Sequence, residues 1–280
     1  MSPTQPPAPP RNAHIHLVSD STGETIYRVA RACLVQFAGI EAINHVWSLV
    51  RSPVHLERVL AGIAAHPGPV MFTLVNDTLR AALQDGCRKA NVPLIPVLDP
   101  VIGALGSYFG LASGAVPGKQ HSLDAEYFGR IDAMTFALTH DDGQATWNLN
   151  EADIILVGVS RTSKTPTCMY LANRGVKAAN VPLIPSIPLP DSLFQATKPL
   201  IVGLTNDPNR LVQVRRNRME SLQEREMTDY TDIEQVRAEV NFARRLFAER
   251  GWPVVDVTRR SIEETAASIL QLYRERLGEE

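Results

Sequence analysis

From His14 onward, short apolar runs alternate with stretches of helical periodicity, and no other feature limits the possible folds of this chain so strongly. Ile15-His16-Leu17-Val18 reads as a strand. Glu24 to Phe37 reads as a helix, with Ile26, Val29, Ala30, Cys33, Leu34 and Phe37 on one face. The pattern repeats with strands at His45–Val50, Val70–Leu74 and Leu94–Leu98, and with helices at Pro53–Ala65 and from Asn76 or Asp77 to about Ala90. After a Gly/Pro-rich stretch (99–120) and a polar bridge (124–150), it resumes. Asp153–Val157 reads as a buried strand and Pro166–Asn173 as a helix, with Gly175 near its end. Further strands are expected at Val181–Ile184, Leu200–Leu204 and Pro253–Val257, and long helices at Arg210–Glu226 and Ile233–Arg250. Ser261-Ile262-Glu263-Glu264 reads as a capping box before a last helix. Such alternation predicts α/β units with parallel sheets. The expected divisions are a proline-rich tail (1–12), an N-terminal α/β domain with its polar bridge (13–150) and a second α/β domain (151–280). No internal repeat is evident.

Composition removes several classes. The 28 Lys+Arg against 30 Asp+Glu leave a formal charge of -2, so a broadly basic nucleic-acid binder is not expected. Cys33, Cys87 and Cys168 form no CxxC pair, which argues against a zinc knuckle or a disulfide framework. No apolar run reaches the ~18–20 residues that cross a bilayer. Met1–Pro10 has five prolines and no apolar stretch, so an extended tail rather than a secretory signal is expected, and a cytoplasmic location with it.

Gly158-Val159-Ser160-Arg161-Thr162-Ser163-Lys164-Thr165 carries the chemistry. It fits the pattern G-x-x-x-x-G-K-[ST], except that Ser163 replaces the second glycine. A strand precedes it and a helix follows, so phosphate would meet backbone N–H groups and the positive end of a helix dipole. Lys164 can reach a terminal phosphate, and the Thr165 hydroxyl can ligate Mg²⁺. If the loop needs a left-handed backbone at Ser163, serine carries a penalty of ~1–2 kcal/mol. Alternatively, its hydroxyl donates to phosphate. The bland alternative is a Gly/Ser turn with a surface lysine. The second domain is therefore expected to be P-loop kinase-like. A strand ending in a metal-binding Asp is missing, Val254-Val255-Asp256 being the nearest match.

Other groups keep two readings each. Ser19-Asp20-Ser21-Thr22-Gly23 is either an anion-binding turn or a helix cap. In His140-Asp141-Asp142-Gly143, Asp141 and Asp142 either support Mg²⁺ or take a hydroxyl proton, or they form a solvated turn. Arg210, Arg215, Arg216 and Arg218 either close over a transferred phosphoryl group or form a solvated helix face. His121 lies in the polar bridge, whereas His14, His16, His45, His55 and His66 have no ligand spacing and read as structural or surface residues.

The decapeptide Gly158–Thr167, together with His140–Gly143, Ser19–Gly23 and Leu123-Asp-Ala-Glu-Tyr-Phe128, resembles the bacterial pyruvate, phosphate dikinase regulatory protein family from about His14 to Leu277. The resemblance implies two activities. One is ADP-dependent phosphorylation of a dikinase threonine beside its catalytic histidine, which inactivates the target. The other is removal of that group by inorganic phosphate, releasing pyrophosphate. It places ADP on Gly158, Val159, Ser160, Arg161, Thr162, Ser163, Lys164 and Thr165, and implies a homodimer. A sister family acting on phosphoenolpyruvate synthase has Cys-Gly in place of Thr162-Ser163, which favours the dikinase. A small-molecule P-loop kinase and a nucleotide-sensing adaptor are the alternatives.

Overall fold

The computed structural model describes residues 11–114, 116, 125–222 and 228–278. Contacts divide the chain into two units, Met1–Ser122 and Leu123–Glu280. The expected tail lies outside the described residues, except that Arg11 and Asn12 already belong to the first strand.

The first unit contains β1 (Arg11–Val18), α1 (Glu24–Leu34), β2 (Ile40–Trp47), α2 (Pro53–Ala65), β3 (Val70–Phe72), α3 (Asp77–Lys89), β4 (Leu94–Pro96) and α4 (Asp99–Phe109). All strand pairs are parallel, in the order β2-β1-β3-β4. Alternation along β1 and β3 builds two cores. Val18, Val70 and Phe72 pack with the buried residues of α2 and α3, and Ile15, Leu17 and Met71 pack with Ile26 and Ala30 of α1. The side chains of Ser52 and Asn76 cap α2 and α3.

The second unit contains α5 (Ala125–Thr139), β5 (Ile154–Gly158), α6 (Lys164–Ala172), β6 (Ala178–Pro182), α7 (Asp191–Gln195), β7 (Leu200–Thr205), α8 (Pro208–Leu222), α9 (Thr228–Thr231), α10 (Ile233–Arg250), β8 (Val254–Asp256) and α11 (Ile262–Leu277). Its sheet is again parallel, in the order β6-β5-β7-β8. Ile155 and Val157 face a core with Leu211, Val212, Val240 and Phe247, and Ile154 and Leu156 face one with Leu171 and Ile269. Both faces are covered, which is why β5 and β7 are buried throughout and apolar up to Thr205 at the end of β7. Gly203 is required by close approach, since a Cβ there would lie 2.4 Å from the Phe247 ring. The Ser261/Glu264 capping box is present.

The polar bridge is not a bridge. Residues 125–139 form α5, whose Ala133 and Ala137 pack on α6 residues and whose Phe136 joins the other core. Contacts thus place the unit boundary at 122/123, where the sequence suggested 150/151. The two sheets also share one strand order despite the absence of a sequence repeat.

Candidate active site

In a parallel sheet, ligands gather at the carboxyl ends of strands where the winding reverses. In the second sheet that point lies between β5 and β7, and the loop 159–163 emerges there. Gly158 is needed not for a left-handed turn but for space. A Cβ there would lie 2.8 Å from both the Leu204 carbonyl oxygen and the Thr162 Oγ1. Thr162 is fully buried and donates to the Val159 carbonyl at 2.9 Å, which ties the loop to itself.

Ser163 occupies the left-handed region at φ 62, ψ 23, as the N-terminal cap of α6, and Arg161 lies at φ 70. The loop therefore does require at Ser163 the backbone that glycine adopts most readily. Lys164 is not a surface lysine. It is buried, and its ammonium donates to the Val159 carbonyl at 3.0 Å. Burial lowers its pKa from 10.5 to about 8, with Asp142 and Asp141 opposing the shift.

Thr165, in the first turn of α6, donates to Asp141 Oδ1 at 2.8 Å. The turn 141–143 is held beneath β6, and Asp142 sits at φ 48. Asn180 of β6 connects the parts: its amide nitrogen lies 2.6 Å from Asp141 Oδ1, 3.1 Å from Asp142 Oδ1 and 3.0 Å from Thr165 Oγ1. The two carboxylates thus meet the phosphate loop rather than solvent alone. Their neighbour His140 is buried, stacked on Phe136 and bonded to the Phe136 carbonyl and to Asn148, so its role is structural. His121 lies outside the described residues.

A cavity of about 700 Å³ opens over these groups, lined by Asp142, Ser160, Arg161, Ser163, Lys164, Thr165, Asn180, Arg215, Tyr230 and Glu239 among others. Of the helix arginines, Arg215 is buried. It pairs with Glu239 at 2.6 Å, donates to the Ser160 carbonyl at 3.4 Å and lies over the Tyr230 ring. A solvated face is excluded for that residue, whereas Arg216 and Arg218 are exposed. The Tyr230 hydroxyl lies 3.1 Å from Ser160 Oγ and accepts from Arg161 at 3.2 Å. Asp256 does not reach the loop. It ends β8, two strands and so about 10 Å from β5, and its carboxylate accepts from Thr258.

The first unit holds a loop of the same build. Five residues separate β1 from α1 and β5 from α6, and Gly23, at φ 82, stands where Ser163 stands. Neither Ser nor Asp caps α1, contrary to the capping reading. Ser19 Oγ accepts from the Ser21 amide, and the Asp20 carboxylate accepts from the Val75 amide at 2.7 Å. Glu24 takes the place of Lys164, and the adjoining cavity is about 140 Å³ with Asp20 in its wall, so its charge disfavours an anion.

The second unit, then, is a parallel α/β domain in which a buried lysine, the Thr165 hydroxyl and the Asp142 carboxylate line one cavity, with Asp141 bonded to that hydroxyl behind them, an arrangement of the kind a phosphotransferase uses. Residues 15–270 match the family model described as Kinase/pyrophosphorylase, and the chain belongs to that family. A protein of Paramagnetospirillum magneticum is 57% identical over 267 residues, covering 95% of this chain and 86% of that one. Proteins of Caulobacter vibrioides and Rhizorhabdus wittichii are 55% and 54% identical, over 94% and 95% of this chain and 85% and 97% of their own. All three carry the name "Putative pyruvate, phosphate dikinase regulatory protein". Among the described residues no helix is long and apolar enough to cross a membrane.

Asn180 and Tyr230 were missed in the sequence. A single amide in the apolar run Ala178–Pro182 was the available signal for the first. Tyr230 offered none.

Proposed function

We propose that the protein is a bifunctional serine/threonine kinase and phosphorylase that regulates pyruvate, phosphate dikinase. The observation that carries this reading is the bonding of Thr165, on the phosphate loop, to Asp141, which joins a phosphate cradle to a carboxylate pair. The names of its relatives supply the target.

In the forward direction the loop amides and Lys164 hold the β-phosphate of ADP. A dikinase threonine hydroxyl attacks the β-phosphorus, the bond to the bridging oxygen breaks, and AMP leaves. Asp141 or Asp142 accepts the hydroxyl proton. In the other direction, inorganic phosphate takes the same cradle. Its oxygen attacks the phosphothreonine phosphorus, pyrophosphate leaves, and the threonine oxygen recovers a proton. In-line transfer asks the protein for positioning and counter-charge, which these groups provide. Among the described residues no cluster of three or more His, Cys, Asp or Glu side chains is arranged for a metal. The mixed oxygen set of Asp141, Asp142, Asn180 and Thr165 nevertheless suits Mg²⁺, which would neutralise phosphate charge. A homodimer, which rests on the family likeness alone, and a cytoplasmic location are part of the proposal.

The test mixes the protein with ADP and either phosphohistidine-form dikinase or phosphoenolpyruvate synthase, and follows the mass of each target. Phosphothreonine on the dikinase, and pyrophosphate release on later addition of phosphate, are expected. Modification of the synthase alone, or of a metabolite alone, contradicts the reading.

A further inference from the structure

Asn180 is 1% exposed in the middle of an apolar strand, a costly place for an amide unless it has a task. Its backbone N–H donates to the His140 carbonyl at 2.9 Å, which fixes β6 against the turn carrying Asp141 and Asp142. Two carboxylate oxygens and a hydroxyl oxygen surround the side-chain nitrogen, so the amide can be oriented only one way. The other end, Oδ1, is buried and has no hydrogen-bond partner. A buried carbonyl oxygen in that condition calls for a partner outside the protein. The two carboxylates and the Thr165 hydroxyl on the nitrogen side of the same amide are hard oxygen donors of the kind that bind Mg²⁺ or Mn²⁺.

We propose that Asn180 is the positioning residue of a divalent-cation site made with Asp141, Asp142 and Thr165. Its nitrogen holds the two carboxylates and the hydroxyl together, and its unpaired oxygen serves the ion or one of the ion's waters. The use of this site in phosphoryl transfer rests on the function proposed above, but its affinity for a cation does not.

The experiment titrates Mn²⁺ into the full chain, with and without ADP, and reads free Mn²⁺ by electron paramagnetic resonance. ADP affinity is measured separately in EDTA. Asn180→Ala and Asn180→Ser are expected to weaken Mn²⁺ binding about 10–100-fold, the usual effect of losing a supporting group. ADP affinity in EDTA is expected to change by less than the Mn²⁺ affinity does. Asn180→Asp, which keeps an oxygen in place, holds Mn²⁺ within a few-fold of wild type. Wild-type Mn²⁺ affinity in folded Asn180→Ser, or no saturable Mn²⁺ binding by the wild-type protein with ADP present, overturns the proposal. Neither arm requires a protein target, so a failed dikinase assay leaves this result readable.

Discussion

The ammonium of Lys164 donates to the carbonyl of Val159, a residue of its own loop. The cation is thus stored inside the cradle, buried, with a pKa drawn down to about 8. Because this lies below the ordinary 10.5, the unfolded chain binds the proton more tightly between those values, and the stability contribution rises with pH across that window.

An anion in the cradle raises the Lys164 pKa again. ADP or phosphate binding at pH 8.5 is therefore expected to take up protons. Calorimetry in buffers of differing ionisation enthalpy reads this directly, and Lys164→Met removes the uptake.

Ser163 at φ 62 carries the steric cost of a left-handed residue, about 1–2 kcal/mol, of which glycine would return part against its own unfolded-state entropy. Ser163→Gly is expected to leave Tm equal or raised and to retain ADP. Ser163→Val, β-branched at that backbone, is expected to lower Tm and weaken ADP. Equal ADP affinity in the valine variant would show that the loop has no need of this conformation.

Glu239 is the carboxylate partner of the buried Arg215. Glu239→Gln keeps the shape and strands the guanidinium, at a cost of about 3 kcal/mol. Urea unfolding should show the loss in the second unit. An unchanged midpoint would mean that the carbonyls of Tyr230 and Ser160 suffice for Arg215.

In the first unit, His14, His16, His45 and His66 stack on one another, and His14 Nδ1 lies 2.9 Å from His45 Nε2. Burial comes first in lowering the pKa of His16 and His45, and the neighbouring imidazoles add to it. Trp47 donates to His16 as well. The unfolded chain then protonates first, so stability is lost as pH falls through about 6.5. A thermal melt should show a falling Tm between pH 7.5 and 5.5, with a shallower fall in His45→Gln.

Most strands of both units and the phosphate loop are legible because their signals are local: apolar runs, caps, and a motif eight residues long; β2 and β6 begin at Ile40 and Ala178, ahead of the expected starts at His45 and Val181. The buried role of Arg215 was also written in the spacing. Leu211, Arg215 and Met219 recur every four residues along α8, on its buried stripe. The charge of the three neighbouring arginines, Arg210, Arg216 and Arg218, masked it. Likewise Ala133, Phe136, Ala137 and His140 repeat at helical intervals through the segment that reads as a polar bridge. Asn180 is different. Its importance depends on β6 lying beside β5 in the sheet, a tertiary relationship that no local pattern contains.

A crystal of the protein with ADP tests the central claim most directly. The β-phosphate should lie within hydrogen-bond distance of the backbone amides of 160–165, with the Lys164 ammonium moved from the Val159 carbonyl onto it. Nucleotide bound elsewhere, with Lys164 still on Val159, would contradict the account.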